Sequence, residues 1–244
     1  MKRKISTAFI PSLFTIFNLF SGFLAILQIF RSQYISAIML MFLASIFDAL
    51  DGKIARLIHQ ESNFGIEIDS LADIVSFCLV PALLVYDLYI SELNFIGALI
   101  SFFPLLFGAI RLARFNVHAT GEKKKYYQGM PVPVAAITLG SFIWFNHTFS
   151  GYFGNSKIAL PLVMLISFLM VSNIRFYPYP KISFKSGTFT TAKSIFTIIC
   201  VILLIIYKGY VLFPVFGIYI VSNILHWISG YEEQRDFFLR RKDS

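Results

Sequence analysis

Four aspartates carry the strongest chemical signal in this sequence. They lie in one stretch, 48–73, which reads Asp-Ala-Leu-Asp-Gly-Lys-Ile-Ala-Arg, then eight residues, then Gly-Ile-Glu-Ile-Asp-Ser-Leu-Ala-Asp. Asp48 and Asp51 are three residues apart and Asp69 and Asp73 four, so on helices each pair shares one face. Apolar runs lead into the first pair and away from the second, which puts both pairs on hydrophobic helices. A carboxylate in a membrane-spanning helix costs roughly 2.5–3.5 kcal/mol on insertion scales. Asp48 and Asp51 also fall near the C-terminal end of their helix, where the backbone dipole disfavours negative charge. Divalent cations are the natural compensation, and Mg²⁺ or Mn²⁺ suits an all-oxygen site, here a pair of ions shared by Asp48, Asp51, Asp69 and Asp73. Acids that were merely solvated at helix ends would have no need of this register.

The neighbours narrow the chemistry. Gly52 follows the second aspartate and Gly65 precedes the third by four residues, places where a missing side chain lets a ligand approach a helix closely. Ala55 is small and one turn from Asp51, and Arg56 brings a planar guanidinium suited to phosphate. Together these residues describe a nucleotide pyrophosphate site at a membrane surface. A divalent-cation transporter is the competing class, but its acids belong near the midplane with access to both sides, and an arginine beside a cation path makes little sense.

The elements that must hold this site are transmembrane helices. Of 244 residues, 57% are hydrophobic and 14% charged, which leaves no room for a sizeable soluble domain. Apolar stretches predict spans at about 13–30, 34–58, 66–90, 95–116, 130–149, 158–176, 191–207 and 210–229. The last two are separated only by Lys208 and Gly209, and could instead form one re-entrant pair. The run after Met1-Lys-Arg-Lys is long enough to span and no Ala-x-Ala site follows it, so it reads as an uncleaved first helix. Of the 21 lysines and arginines, all but Arg31, Lys157 and Lys208 fall on the side of the N-terminus in this arrangement. That bias places both termini and the aspartates in the cytoplasm. The net charge of +8 is therefore assigned to topology and to anionic lipid headgroups, with no role for nucleic acid. Cys78 and Cys200, the two cysteines, sit in apolar runs and indicate neither a disulfide framework nor a thiolate metal site. The expectation is an all-α, polytopic transmembrane helix bundle of about eight spans, one domain over residues 1–244, in a prokaryotic inner membrane.

Three further stretches attract attention. Gly108-Ala-Ile-Arg-Leu-Ala-Arg-Phe-Asn116 puts Arg111 and Arg114 on one helical face. Arginines at a span's end usually snorkel as anchors, but Arg111 is a turn deeper than an anchor requires, and a bound phosphate or carboxylate would explain it. Tyr127-Gln-Gly-Met-Pro-Val-Pro-Val-Ala-Ala136 brings prolines suited to a first helical turn, or to a pocket wall at the depth of the aspartates. Met170-Val-Ser-Asn-Ile-Arg175 leads through an aromatic belt to Lys181, another basic group within reach of lipid phosphate.

The pattern D-x2-D-G-x2-A-R-x8-G-x3-D-x3-D, present here at every position, resembles the signature of the CDP-alcohol phosphatidyltransferases. The opening Ile10-Pro-Ser-Leu-Phe-Thr-Ile-Phe-Asn-Leu-Phe-Ser-Gly22, the Arg-Leu-Ala-Arg-Phe-Asn and Gly-Met-Pro-Val-Pro-Val-Ala-Ala segments and the Met-Val-Ser stretch are similar to one branch, the membrane-embedded phosphatidylserine synthases. Ser12 stands where that branch more often has asparagine, and the segment 174–181 matches more loosely. The resemblance covers residues 1 to about 181. It implies transfer of a phosphatidyl group from CDP-diacylglycerol to L-serine, with release of CMP; another alcohol, glycerol 3-phosphate or inositol phosphate, would be served by the same core. It further implies two metal ions on the four aspartates and Asp73 as the general base. The CDP portion would rest on Asp51, Gly52, Ala55, Arg56 and Gly65. Arg111, Arg114 and Lys181 are candidates for phosphate or the serine carboxylate, and the family points to a homodimer.

Overall fold

A computed structural model describes residues 9–57, 63–117, 126–177 and 209–242. Lys181 and the expected span 191–207 lie outside these residues. The described chain is almost entirely helical. Helix α1 (Phe9–Phe30) turns through Arg31–Gln33 into α2 (Tyr34–Leu57), and the two form the most extensive helix pair. Helix α3 (Asn63–Asp73) runs on through a π-helical turn (Ile74–Leu79), α4 (Val80–Val85), a second π-helical turn (Tyr86–Ile90) and a 3₁₀ turn (Ser91–Leu93). Helices α5 (Asn94–Val117), α6 (Val132–Ser150), α7 (Ser156–Val171) and α8 (Gly209–Lys242) complete the bundle.

Among the described residues, five helical stretches are long and apolar enough to cross a membrane: Leu13–Phe30, Tyr34–Ile54, Phe64–Leu93, Phe95–Val117 and Gly209–Gly230. They agree with five of the expected spans within a few residues. The expected span 158–176 is instead a shorter helix: α7 ends at Val171, Ser172 turns extended, and Arg175–Phe176 forms a strand, β2. Its partner is β1 (Tyr127–Gln128), antiparallel, with Tyr127 opposite Phe176 and Gln128 opposite Arg175. Periodicity and hydropathy carry no information about this ribbon, because its pairing joins residues almost fifty positions apart.

Small residues let the helices approach. Ala25, Ala37 and Ala44 are fully buried between neighbours, and a methyl added at Gly140 would lie 2.6 Å from Met41 Cε. Close backbone approach of this kind is how helices associate where lipid supplies no hydrophobic drive between them. Outward faces are apolar as well, with Phe17, Phe20 and Phe23 exposed along α1, as a lipid-facing surface requires. The first π-helical turn has a local cause. Pro81 lacks an amide hydrogen and cannot bond back to Phe77, while the Val80 amide reaches five residues back to Val75. Gly22 of α1 lies directly against Ser76, and Gly108 of α5 directly against Cys78, so the widened turn is gripped from both sides.

Candidate active site

The two helical aspartate pairs meet. Carboxylate oxygens of Asp48, Asp51 and Asp69 lie within 4.8 Å of one another, two from the C-terminal part of α2 and one from α3. Asp51 and Asp69 are at hydrogen-bonding distance from each other, and two carboxylates so placed need a proton or a cation between them. Asp51 is buried and Asp48 and Asp69 are partly buried. One oxygen of Asp69, Oδ1, is enclosed with no hydrogen-bond partner among the described residues. A hard, all-oxygen donor set with an enclosed, unpartnered oxygen fits a divalent cation. The cluster is thus compatible with the metal that the spacing predicts.

Asp73 occupies a different place. It is buried, outside the group of three, yet within electrostatic reach of all of them. Its Oδ1 accepts a hydrogen bond from Asn18 Nδ2 at 3.2 Å. The Thr15 hydroxyl donates to Asp51 Oδ2 at 3.0 Å, one turn earlier on the same helix. Neither contact is anticipated from the sequence, where the stretch 10–22 is noted only for its family resemblance. The available signal is that Thr15 and Asn18 are polar and three apart on a mostly apolar helix.

The two arginines of α5 separate. Arg111 is buried, lies within electrostatic reach of Asp73, Cys78 and Tyr127, and its Nε has no hydrogen-bond partner among the described residues. Arg114 is exposed and donates from Nη1 to the Val171 carbonyl at 2.9 Å, which secures the end of α7. At the end of α5, Asn116 Nδ2 donates to Ser70 Oγ at 3.0 Å, tying α5 to α3 between Asp69 and Asp73. Gly129 sits at φ +74° directly against the Met170 carbonyl, and its amide bonds to the Ile174 carbonyl. The glycine and proline stretch before α6 therefore docks on the end of α7, beside Arg111.

Gly52 and Gly65 flank the cluster on α2 and α3, both partly buried. Ala55 and Arg56 continue α2 one turn beyond Asp51. Of five buried side-chain atoms without a hydrogen-bond partner among the described residues, three surround this site: Asn18 Oδ1, Asp69 Oδ1 and Arg111 Nε. Buried polar atoms are almost always paired, so their concentration here is compatible with a place completed by bound ligands.

Comparison with known proteins identifies the family. The sequence model described as CDP-alcohol phosphatidyltransferase matches residues 8–167, which include α1, all four aspartates and both arginines of α5. A protein of Helicobacter pylori (strain J99) named CDP-diacylglycerol--serine O-phosphatidyltransferase is 34% identical over 219 residues, covering 89% of this chain and 90% of its own. A protein of Methanocaldococcus jannaschii with the same name is 38% identical over 178 residues, 73% of this chain and 77% of its own. An archaetidylserine synthase of Methanothermobacter thermautotrophicus is 36% identical over 186 residues, 75% of each. With both halves of the aspartate motif inside the match and the likeness extending over most of its length, the chain belongs to the CDP-alcohol phosphatidyltransferase family.

Proposed function

We propose that this protein transfers the phosphatidyl group of CDP-diacylglycerol to L-serine, giving phosphatidylserine and CMP. The observation that carries the proposal is the gathering of Asp48, Asp51 and Asp69 beside a separately held Asp73, in a chain whose relatives are named for this reaction. Asp48, Asp51 and Asp69, with Asp73 adjoining, would hold two Mg²⁺ or Mn²⁺ ions. Such ions, when bound, neutralise the pyrophosphate and stabilise CMP as a leaving group.

The chain's own residues do the rest. Gly52 and Gly65 leave room on α2 and α3 for the CDP portion, with Asp51, Ala55 and Arg56 alongside. Asp73 takes the proton of the serine hydroxyl as its oxygen bonds to the phosphorus carrying diacylglycerol, and the bond from that phosphorus to the CMP oxygen breaks. Arg111, buried within electrostatic reach of Asp73 and with an Nε that has no partner among the described residues, meets the serine carboxylate. Arg114, already bonded to Val171, is the weaker candidate of the pair, and Lys181 rests on the resemblance alone.

The active face is cytoplasmic in this reading, both termini lie on that side, and the whole chain acts as one domain, as a homodimer, in the inner membrane. Single cysteines at Lys124 and Asn155, in a background lacking Cys78 and Cys200, test the orientation. An impermeant thiol reagent applied to intact cells should label position 155 and spare 124. The deciding assay for function is CMP release by the purified protein from CDP-diacylglycerol, with serine, glycerol 3-phosphate and inositol phosphate offered separately. Serine and a divalent metal should both be required; turnover with another alcohol and not with serine would overturn the choice of acceptor.

A further inference from the structure

Helix α1 contributes no acid to the site, yet it carries three buried polar side chains on one face, at positions 15, 18 and 21. They behave differently. Ser21 donates to the Phe17 carbonyl of its own helix, the local bond by which a serine satisfies itself in an apolar setting. Thr15 and Asn18 instead cross to other helices and end on aspartates. Asn18 is fully buried, and an amide enclosed in a spanning helix is kept only where it has partners or a task.

Asn18 grips the junction after Asp73 on both sides. Its side-chain nitrogen donates to Asp73 Oδ1, while its backbone carbonyl accepts the Ser76 hydroxyl at 3.0 Å from within the π-helical turn. Gly22, one turn further, lets Ser76 approach so closely that a Cβ there would collide with its hydroxyl. One oxygen of Asp73 is thus held, and among the described residues no donor reaches the other. A carboxylate beside a widened turn, free to rotate about its side-chain bonds, would present a varying oxygen to the incoming hydroxyl.

We infer that Asn18 is a positioning residue for Asp73, fixing the rotation of its carboxylate so that the second oxygen faces the acceptor, whereas Thr15 serves the metal-binding group through Asp51. This rests on the proposed transfer reaction, and it divides α1 into one contact for chemistry and one for binding.

The test uses the purified full-length protein in detergent, with Asn18→Leu, Thr15→Val and Ser21→Ala. Leucine and valine keep the volume and remove the hydrogen bond. Asn18→Leu should bind CDP-diacylglycerol with Mg²⁺ as the parent does, while kcat falls roughly 10- to 100-fold, the usual consequence of losing a supporting contact to a functional group. Thr15→Val should weaken that binding by a comparable factor, and Ser21→Ala should leave both unchanged. Adding Asn18→Leu to Asp73→Asn should cost no further turnover, because the contact would have nothing left to orient. Parent-like kcat in Asn18→Leu, or an additive loss in the double variant, overturns the inference. So does a parallel fall of binding, kcat and thermal stability, which would mark Asn18 as structural. Should leucine prevent folding, Asn18→Ala gives the same comparison. If the parent releases no CMP with any alcohol, the transfer reading fails separately; the structure of Asn18→Leu then decides, and an unrotated Asp73 carboxylate sinks the inference.

Discussion

The helical run from Asn63 to Leu93 has an acid beside a π-helical turn at each end, and the two ends are put to different use. Asp87 lies in the second π turn, exposed, and accepts the Tyr34 hydroxyl at 2.7 Å. Asp73 adjoins the first, buried, facing three other carboxylates and a buried arginine. Neither the acid nor the widened turn makes a site by itself. What distinguishes the Asp73 end is enclosure combined with polar atoms, on Asn18, Asp69 and Arg111, that find no hydrogen-bond partner among the described residues. The Asp87 end carries the same residue type at no comparable cost, because solvent reaches it.

The sharpest way to break this comparison is to neutralise one acid of each kind at the buried end. Asp73→Asn keeps the size of the side chain but cannot take a proton, so kcat should fall roughly 10²- to 10⁴-fold with CDP-diacylglycerol binding retained. Asp48→Asn, by contrast, should lose binding and turnover together, since its oxygen belongs to the cluster of three. Calorimetry in detergent beside steady-state CMP release separates the two. Equal loss of binding in both variants would remove the case for Asp73 as a dedicated base.

Arg111→Leu comes next. A hydrogen bond to a charged group is worth about 1.5–3 kcal/mol, so KM for serine should rise roughly 10- to 150-fold. Lysine at the same position should not restore it, because an ammonium cannot present the flat fork of a guanidinium. The measurement is the serine dependence of CMP release at saturating CDP-diacylglycerol.

A backbone change tests the wall behind Arg111. Gly129 holds φ +74° against the Met170 carbonyl, so Gly129→Ala meets both a left-handed backbone penalty of about 1–2 kcal/mol and a collision. Its unfolding midpoint should drop, and a midpoint equal to the parent's would show that the segment relaxes freely. The smallest effect belongs to the exposed end of the run. Asp87→Asn should leave turnover unchanged and stability within about 0.5 kcal/mol, as for surface substitutions generally. A large loss of activity there would erase the distinction between the two ends.

The positions of the four aspartates, their pairing on helix faces and their affinity for hard cations are legible in the sequence, because they follow from helical period and side-chain chemistry within short stretches. So are the five apolar spans, since length and hydropathy are local quantities. The π-helical turn after Asp73 has a sequence signal in Pro81, but its grip by Gly22 and Gly108 does not, as those contacts join three separate helices. Only the tertiary structure places Thr15 on Asp51 and Asn18 on Asp73, across 36 and 55 residues. It alone separates Arg111 from Arg114, which share a helix and a residue type, by burying one beside Asp73 and docking the other on α7. The physical reason is the same in each case. Spacing along a chain fixes which side chains share a face, whereas the partner that face meets depends on how helices pack, and packing is decided by the fit of whole surfaces rather than by any one stretch.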